Sequence, residues 1–85
     1  MATVTLRYWA AARDAAGVAE QKVTADTLAM ALAQAGESDV RARLEPVLQR
    51  SSFLVDGAPV GRRAAESVQL SDGAVIEVLP PFAGG

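Results

Sequence analysis

Two consecutive prolines, Pro80 and Pro81, close the last apolar run of the chain and fix where its β-structure must stop. Each holds φ at roughly −65° and lacks the N–H that a ladder needs, so the run Ala74 to Leu79 should end as a strand at Leu79. Pro80 also biases Leu79 towards extended geometry. The segment beyond that strand, Pro80-Pro81-Phe82-Ala83-Gly84-Gly85, should project as a tail. Its two terminal glycines carry no Cβ, so a narrow channel in another protein can grip the backbone and reach the terminal carboxylate. From Pro81 to Gly85 an extended tail reaches about 15 Å. The expected organisation is one domain over residues 1–79 and an extended reactive tail over 80–85.

The rest of the chain supplies a small mixed set of elements. Thr3 to Trp9 alternates with period two, setting Val4, Leu6 and Tyr8 on one face and Thr5, Arg7 and Trp9 on the other. Alanine-rich Ala10 to Ala16 predicts a short helical turn stopped by Gly17, and Glu20 to Thr24 a second strand. Asp26 or Thr27 can cap the next helix, in which Leu28, Ala31, Leu32 and Ala35 recur at i, i+3, i+4 and i+7 before Gly36. This is the principal helix expected from the sequence. Ser38 or Asp39 starts a further helical segment through Val40 and Leu44, with Pro46 expected at its end or opening a new turn. Ser52 to Val55 is strand-like and closes on the turn dipeptide Asp56-Gly57, with Val60 expected to begin a short partner strand. Residues 61–70 read as irregular, and Ser71-Asp72-Gly73 turns the chain into its last strand.

Composition removes several classes of chemistry. Cysteine and histidine are both absent, which excludes disulfides, Cys/His zinc sites, thiol nucleophiles and imidazole acid–base catalysis by this chain. Eight basic and ten acidic side chains give a formal charge of −2, without the basic stripe of a nucleic-acid surface. The one basic pair, Arg62-Arg63, reads as a solvated loop, with phosphate or acidic-partner contact as the less favoured reading. With no long apolar segment, neither a membrane span nor a leader is expected, and a cytoplasmic location is the default.

Strand parity gives a second functional clue. If Ile76 and Val78 face a helical layer, then Leu79 faces away, and the same alternation turns Trp9 outward. Were the first and last strands adjacent, Trp9 and Leu79 would share one exposed face at the root of the tail, joined by Phe82. Tryptophan is enriched at binding hot spots, so this patch is a candidate docking surface.

Tyr8-Trp9-Ala10-Ala11-Ala12-Arg13-Asp14-Ala15-Ala16-Gly17, Asp72-Gly73 and the terminal Pro80-Pro81-Phe82-Ala83-Gly84-Gly85 resemble the small, sulfur-carrying subunits of molybdopterin synthase, in the MoaD/ThiS family. The resemblance spans nearly the whole chain, and its specific parts are the two ends. It implies an α+β, ubiquitin-like β-grasp: a mixed sheet of four to five strands packed on one main helix, with the first and last strands as central parallel neighbours.

The resemblance also implies a mechanism. An ATP-dependent activating enzyme adenylates the Gly85 carboxylate, sulfur from a sulfurtransferase persulfide displaces AMP, and the resulting thiocarboxylate donates sulfur to precursor Z. Gly85 is then the reactive residue and Gly84 the steric gate. Pro80, Pro81, Phe82, Ala83 and Gly84 thread the synthase large subunit, and Trp9, Leu79 and Phe82 contact it. The implied partners are that large subunit, in a heterotetramer, the activating enzyme and the sulfur donor. No metal or cofactor is expected on this chain, since ATP is used by the activating enzyme, and no catalytic activity is expected of it alone. Phe82 departs from the Val or Thr often found in the family's tail. Arg13 matches the family's arginine after the first strand, although a surface ion pair accounts for it equally well. Two other readings stand beside this one: a sulfur carrier for thiamine, cysteine or a natural product, and a ubiquitin-like modifier joined to a target lysine.

Overall fold

The computed structural model describes residues 1–81. Alternation in Thr3–Tyr8 (β1) sends Val4, Leu6 and Tyr8 into the core, none more than 1 % exposed. Full burial of side chains of this size contributes roughly 1.5–3 kcal/mol each. Ala10–Ala16 (α1) stops at Gly17 in the left-handed region, whose N–H donates to the Arg13 carbonyl at 2.9 Å. The chain then returns antiparallel along β1 as Glu20–Thr24 (β2), in the register Val4 opposite Val23 and Leu6 opposite Gln21.

Two helices succeed β2. Leu28–Ala33 (α2) begins where Thr27 accepts the Met30 N–H on its hydroxyl, so Thr27 rather than Asp26 is the cap. The Asp26 carboxylate instead accepts the Ala2 N–H at 3.2 Å. Arg41–Arg50 (α3) is the longest helix and buries Leu44, Val47 and Leu48. The helical layer is therefore shared by α2 and α3, and the main helix is α3 and not the Leu28 segment: that assignment is corrected. So is the placement of Pro46, which lies inside α3. The helix tolerates it because Pro46 and Ala42, whose carbonyl loses its i+4 donor, both face solvent, where water can replace the missing N–H.

Ser52–Val55 (β3) and Ala58–Pro59 (β4) form a hairpin across Asp56 (φ +50) and Gly57 (φ +83). Two successive positive φ values are the twist-matched turn that Asp-Gly favours. Because this loop has only two residues, the return strand starts at Ala58, not Val60. Val60 is instead buried beneath the loop beyond it. A 3-10 turn at Ala65–Ser67 interrupts the stretch read as irregular, and Thr27 and Gln69 form an isolated bridge. Asp72 accepts the Thr3 N–H at 2.8 Å, and Gly73 donates to the Thr3 carbonyl at 2.8 Å, which locks the turn before Val75–Leu79 (β5).

The sheet order is β2-β1-β5-β3-β4. β5 lies parallel to β1 (Arg7 beside Glu77, Tyr8 beside Val78) and antiparallel to β3 (Ser52 opposite Leu79, Phe53 opposite Val78). The fold is the α+β, ubiquitin-like β-grasp, with a five-stranded mixed sheet. Its core gathers Val4, Leu6, Tyr8, Leu28, Leu44, Ile76 and Val78 between the inner sheet face and the helices.

A polar clamp ties β2 to the end of α2. Gln21 accepts both the Tyr8 hydroxyl (2.6 Å) and the Gly36 N–H (2.8 Å) on Oε1, while its Nε2 donates to the Gln34 carbonyl. Arg41 donates to the Leu32 and Ala35 carbonyls at 2.7 and 2.8 Å, supplying partners for the open end of α2. Burial pushes the Tyr8 phenol above its ordinary pKa, opposed more weakly by the Gly36 N–H and the Arg41 charge.

Candidate functional site

The outer face of the sheet is set by the same register. Ile76 and Val78 are fully buried, so Val75, Glu77 and Leu79 point the other way and are half-buried. Trp9 sits immediately beyond β1 in extended geometry (φ −120°, ψ 150°), and its N–H donates to the Val78 carbonyl at 3.3 Å, which carries the β1–β5 register one residue further. Its ring stays 46 % exposed, and the indole Nε1 donates to the Glu77 carboxylate at 3.1 Å. A single hydrogen bond thus pins an aromatic plate to the outer face at the end of the sheet where β5 finishes. Next to it Arg7 pairs with Glu20 at 3.0 Å.

Of the residues singled out from the sequence, Trp9, Leu79, Pro80 and Pro81 are described. Trp9 and Leu79 lie on the same face at the same end of β1 and β5, as strand parity requires. Pro80 is half-buried and Pro81 exposed, both beyond the last strand, so the ladder ends where the prolines demand. Phe82, Ala83, Gly84 and Gly85 lie outside the described residues. Sequence reasoning does not reach Glu77 as the group that orients Trp9. Its signal is its place two residues before Leu79 on the outward parity, but which residue it bonds depends on the parallel pairing of β1 with β5.

Among the described residues no group of three or more His, Cys, Asp or Glu side chains could hold a metal, and no helix is long and apolar enough to cross a membrane. Tyr8 is the one ionisable side chain with a clear shift, and it belongs to the buried clamp. The outer face at this end of the sheet thus carries an exposed aromatic plate, an ion pair and the two prolines that follow β5.

Comparison with protein families matches residues 6–85 to the ThiS family. The chain belongs to the ThiS family. Among solved structures it resembles the small archaeal modifier protein 1 of Methanosarcina acetivorans, with a TM-score of 0.82, 23 % identity, and coverage of 100 % of this chain and 98 % of that one. A chain of the complex of subunits 1 and 2 of the molybdopterin-converting factor of Helicobacter pylori is matched with a TM-score of 0.69 at 20 % identity, covering 98 % of this chain and 99 % of that chain. The crystal structure of small archaeal modifier protein 1 from Haloferax volcanii gives a TM-score of 0.69 at 20 % identity, over 98 % and 99 % of the two chains. No match emerges among curated proteins. The family match and these structural likenesses agree on the ubiquitin-like fold described above.

Proposed function

We propose that this ThiS-family protein is the sulfur carrier and small subunit of molybdopterin synthase. The observation that carries the reading is the end of β5: Leu79 finishes the central strand beside Trp9, and Pro80 and Pro81 close the ladder immediately before the sequence Phe82-Ala83-Gly84-Gly85. An ATP-dependent activating enzyme adenylates the Gly85 carboxylate, which converts a poor leaving group into AMP. The outer sulfur of a persulfide donor then displaces AMP to form an acyl disulfide, and a thiol cleaves its S–S bond and is itself oxidised to a disulfide with the donor. The thiocarboxylate so released gives up its sulfur to precursor Z inside the large subunit. With no cysteine in the chain, the sulfur must be brought from outside and carried at the terminus. Trp9 and Leu79 dock the large subunit, while Pro80 to Gly84 thread its channel. The converting-factor complex of Helicobacter pylori, which pairs subunits 1 and 2, supports a partner of that kind.

A second reading, a protein modifier linked through Gly85 to a lysine, draws support from the resemblance to small archaeal modifier protein 1. Lys22 is the sole lysine, exposed on β2, so long self-conjugated chains have one possible branch point.

Intact mass separates these readings. After incubation with ATP, the activating enzyme and a sulfur donor, the synthase role requires a gain equal to one sulfur replacing one oxygen, lost again when the large subunit and precursor Z are added. A gain that survives precursor Z identifies a carrier for another pathway. A mass shift on a target protein, without sulfur gain on this chain, identifies a modifier. Deletion of Gly85 should abolish the gain, and a deletion that still supports cofactor synthesis refutes the proposal.

A further inference from the structure

The Arg62-Arg63 pair has no part in the tail or in the Trp9 face, yet the structure gives Arg63 a defined setting. β4 is only two residues long; the Val60 N–H still donates to the Phe53 carbonyl at 3.0 Å, but beyond it the chain leaves the sheet and the β3 edge at Ser52 has no strand beside it on that side. A depression of about 340 Å³ opens there, with Leu28, Phe53, Val60 and Ala65 among its walls and Arg63 at its rim. A second depression, of about 350 Å³, adjoins it on the other side of Phe53 and Ser51, over Leu32 and Leu48. The two share Ser51 and Phe53 in their linings and together make the groove beside β3.

Arg63 is held rather than free. Its Nε donates to the Val60 carbonyl at 3.1 Å and its Nη2 to the Pro59 carbonyl at 3.4 Å. These bonds orient the guanidinium without neutralising it, because carbonyls carry no charge and no carboxylate of the described residues pairs with it. Arg41, at the other end of the groove, is by contrast paired with Glu45 at 3.3 Å. A chain with a formal charge of −2 thus offers, beside an apolar wall, one fixed positive group with N–H donors to spare. Such a guanidinium matches a carboxylate, with little ordering left to do on binding. Leu28, Phe53, Leu54, Pro59, Val60 and Ala65 make most of the wall apolar, so it suits a segment that brings apolar side chains together with a carboxylate better than a free anion.

From this juxtaposition we infer that the groove at the β3 edge is a second docking site, for an extended acidic and apolar segment of a partner protein. An apolar side chain enters between Leu28, Phe53, Val60 and Ala65, and a neighbouring Asp or Glu pairs with Arg63. The site lies across β3 from the root of the tail, so a partner held here leaves the Trp9 face free.

The test uses the full-length protein and the synthetic peptide acetyl-Glu-Leu-Phe-Glu-Leu-amide, with binding read by amide chemical-shift mapping. Shifts should concentrate at Phe53, Val60 and Ala65 and leave Trp9 unmoved. Arg63→Gln should weaken binding by about tenfold, the scale of one charge-assisted hydrogen bond, and Arg62→Gln should not. The peptide with Gln in place of Glu should lose about the same factor on the wild type and nothing further on Arg63→Gln, which isolates the pair. Because Arg63 also braces its loop, Ala65→Leu serves as a second variant, filling the apolar end while leaving Arg63 in place, and it too should weaken binding. No shifts in the groove at millimolar peptide, or equal binding by Arg63→Gln, overturns the inference. So would concentration-dependent shifts at these residues without peptide, which would assign the groove to a second copy of the chain.

Discussion

Gly36→Ala should be among the most damaging single-methyl changes in this domain, and its cost can be assembled from two terms. Gly36 holds φ +80, where an L residue pays roughly 1–2 kcal/mol. A Cβ there would lie 2.8 Å from Leu44 Cδ2 and 3.2 Å from Val40 Cγ2. Leu44 is fully buried in the core, so its methyl has nowhere open to go, and overpacking of this kind adds about 1–3 kcal/mol. The sum is a loss of about 2–5 kcal/mol, or roughly 10–30 °C in Tm for a domain of this size. Gly57→Ala is the matched control: its φ is +83, yet a Cβ meets nothing within 4 Å, so only the backbone term of about 1–2 kcal/mol applies. Urea denaturation monitored by the fluorescence of Trp9, the sole tryptophan, measures both. If Gly36→Ala loses no more than Gly57→Ala, the wall formed by Leu44 and Val40 yields freely and the packing argument is wrong.

Single contacts set the other expectations. Because burial raises the Tyr8 pKa, the folded state keeps the phenol protonated where the unfolded chain ionises, at about pH 10. Its contribution is therefore complete below that pH and is lost as pH rises through the folded value, which urea midpoints at about pH 8 and pH 11 should reveal and Tyr8→Phe should flatten. Tyr8 is the sole tyrosine, so tyrosinate absorbance reports its titration directly. Pro46→Ala should stabilise α3 by about 1–3 kcal/mol, since it restores an N–H for the Ala42 carbonyl and removes a helix-interior proline; an unchanged or lower Tm would refute this. Trp9→Ala should shift stability by no more than about 1 kcal/mol, yet weaken binding to the large subunit proposed as its partner about thirtyfold in titration calorimetry, the scale of a hot spot worth about 2 kcal/mol. Wild-type affinity in that variant would remove Trp9 from the interface.

Strand positions are legible in the sequence because parity is local: once Val4, Leu6 and Tyr8 are apolar, Trp9 must turn outward. Turns are legible where backbone conformation demands a residue type, as at Asp56-Gly57, although the strand after it begins two residues earlier than the expected Val60. The length of α3 is hidden because a proline reads as a stop, and only the tertiary placement of Pro46 and Ala42 in water makes it tolerable. Gly36 reads as a helix end, and that role understates it, since the closeness of Leu44 depends on how α2 and α3 cross. The outward Trp9 and Leu79 are implied by the sequence, but the Glu77 bond that orients Trp9 requires the parallel pairing. The setting of Arg63 is invisible for a related reason: its partners are backbone carbonyls, which carry no sequence signal.

The indole of Trp9 and the carboxylate of Glu77 meet across 68 residues of chain. Because β5 is the middle strand of the sheet, the segment that leads into the tail is also the one that joins the two halves of the fold, β1–β2 on one side and β3–β4 on the other. Folding must therefore wait for a contact of high sequence separation, which slows it relative to a helical domain. It also couples competence to completeness. A molecule cut short before Val75 has no central strand, and with it loses both the carbonyl and the carboxylate that hold Trp9 on the outer face.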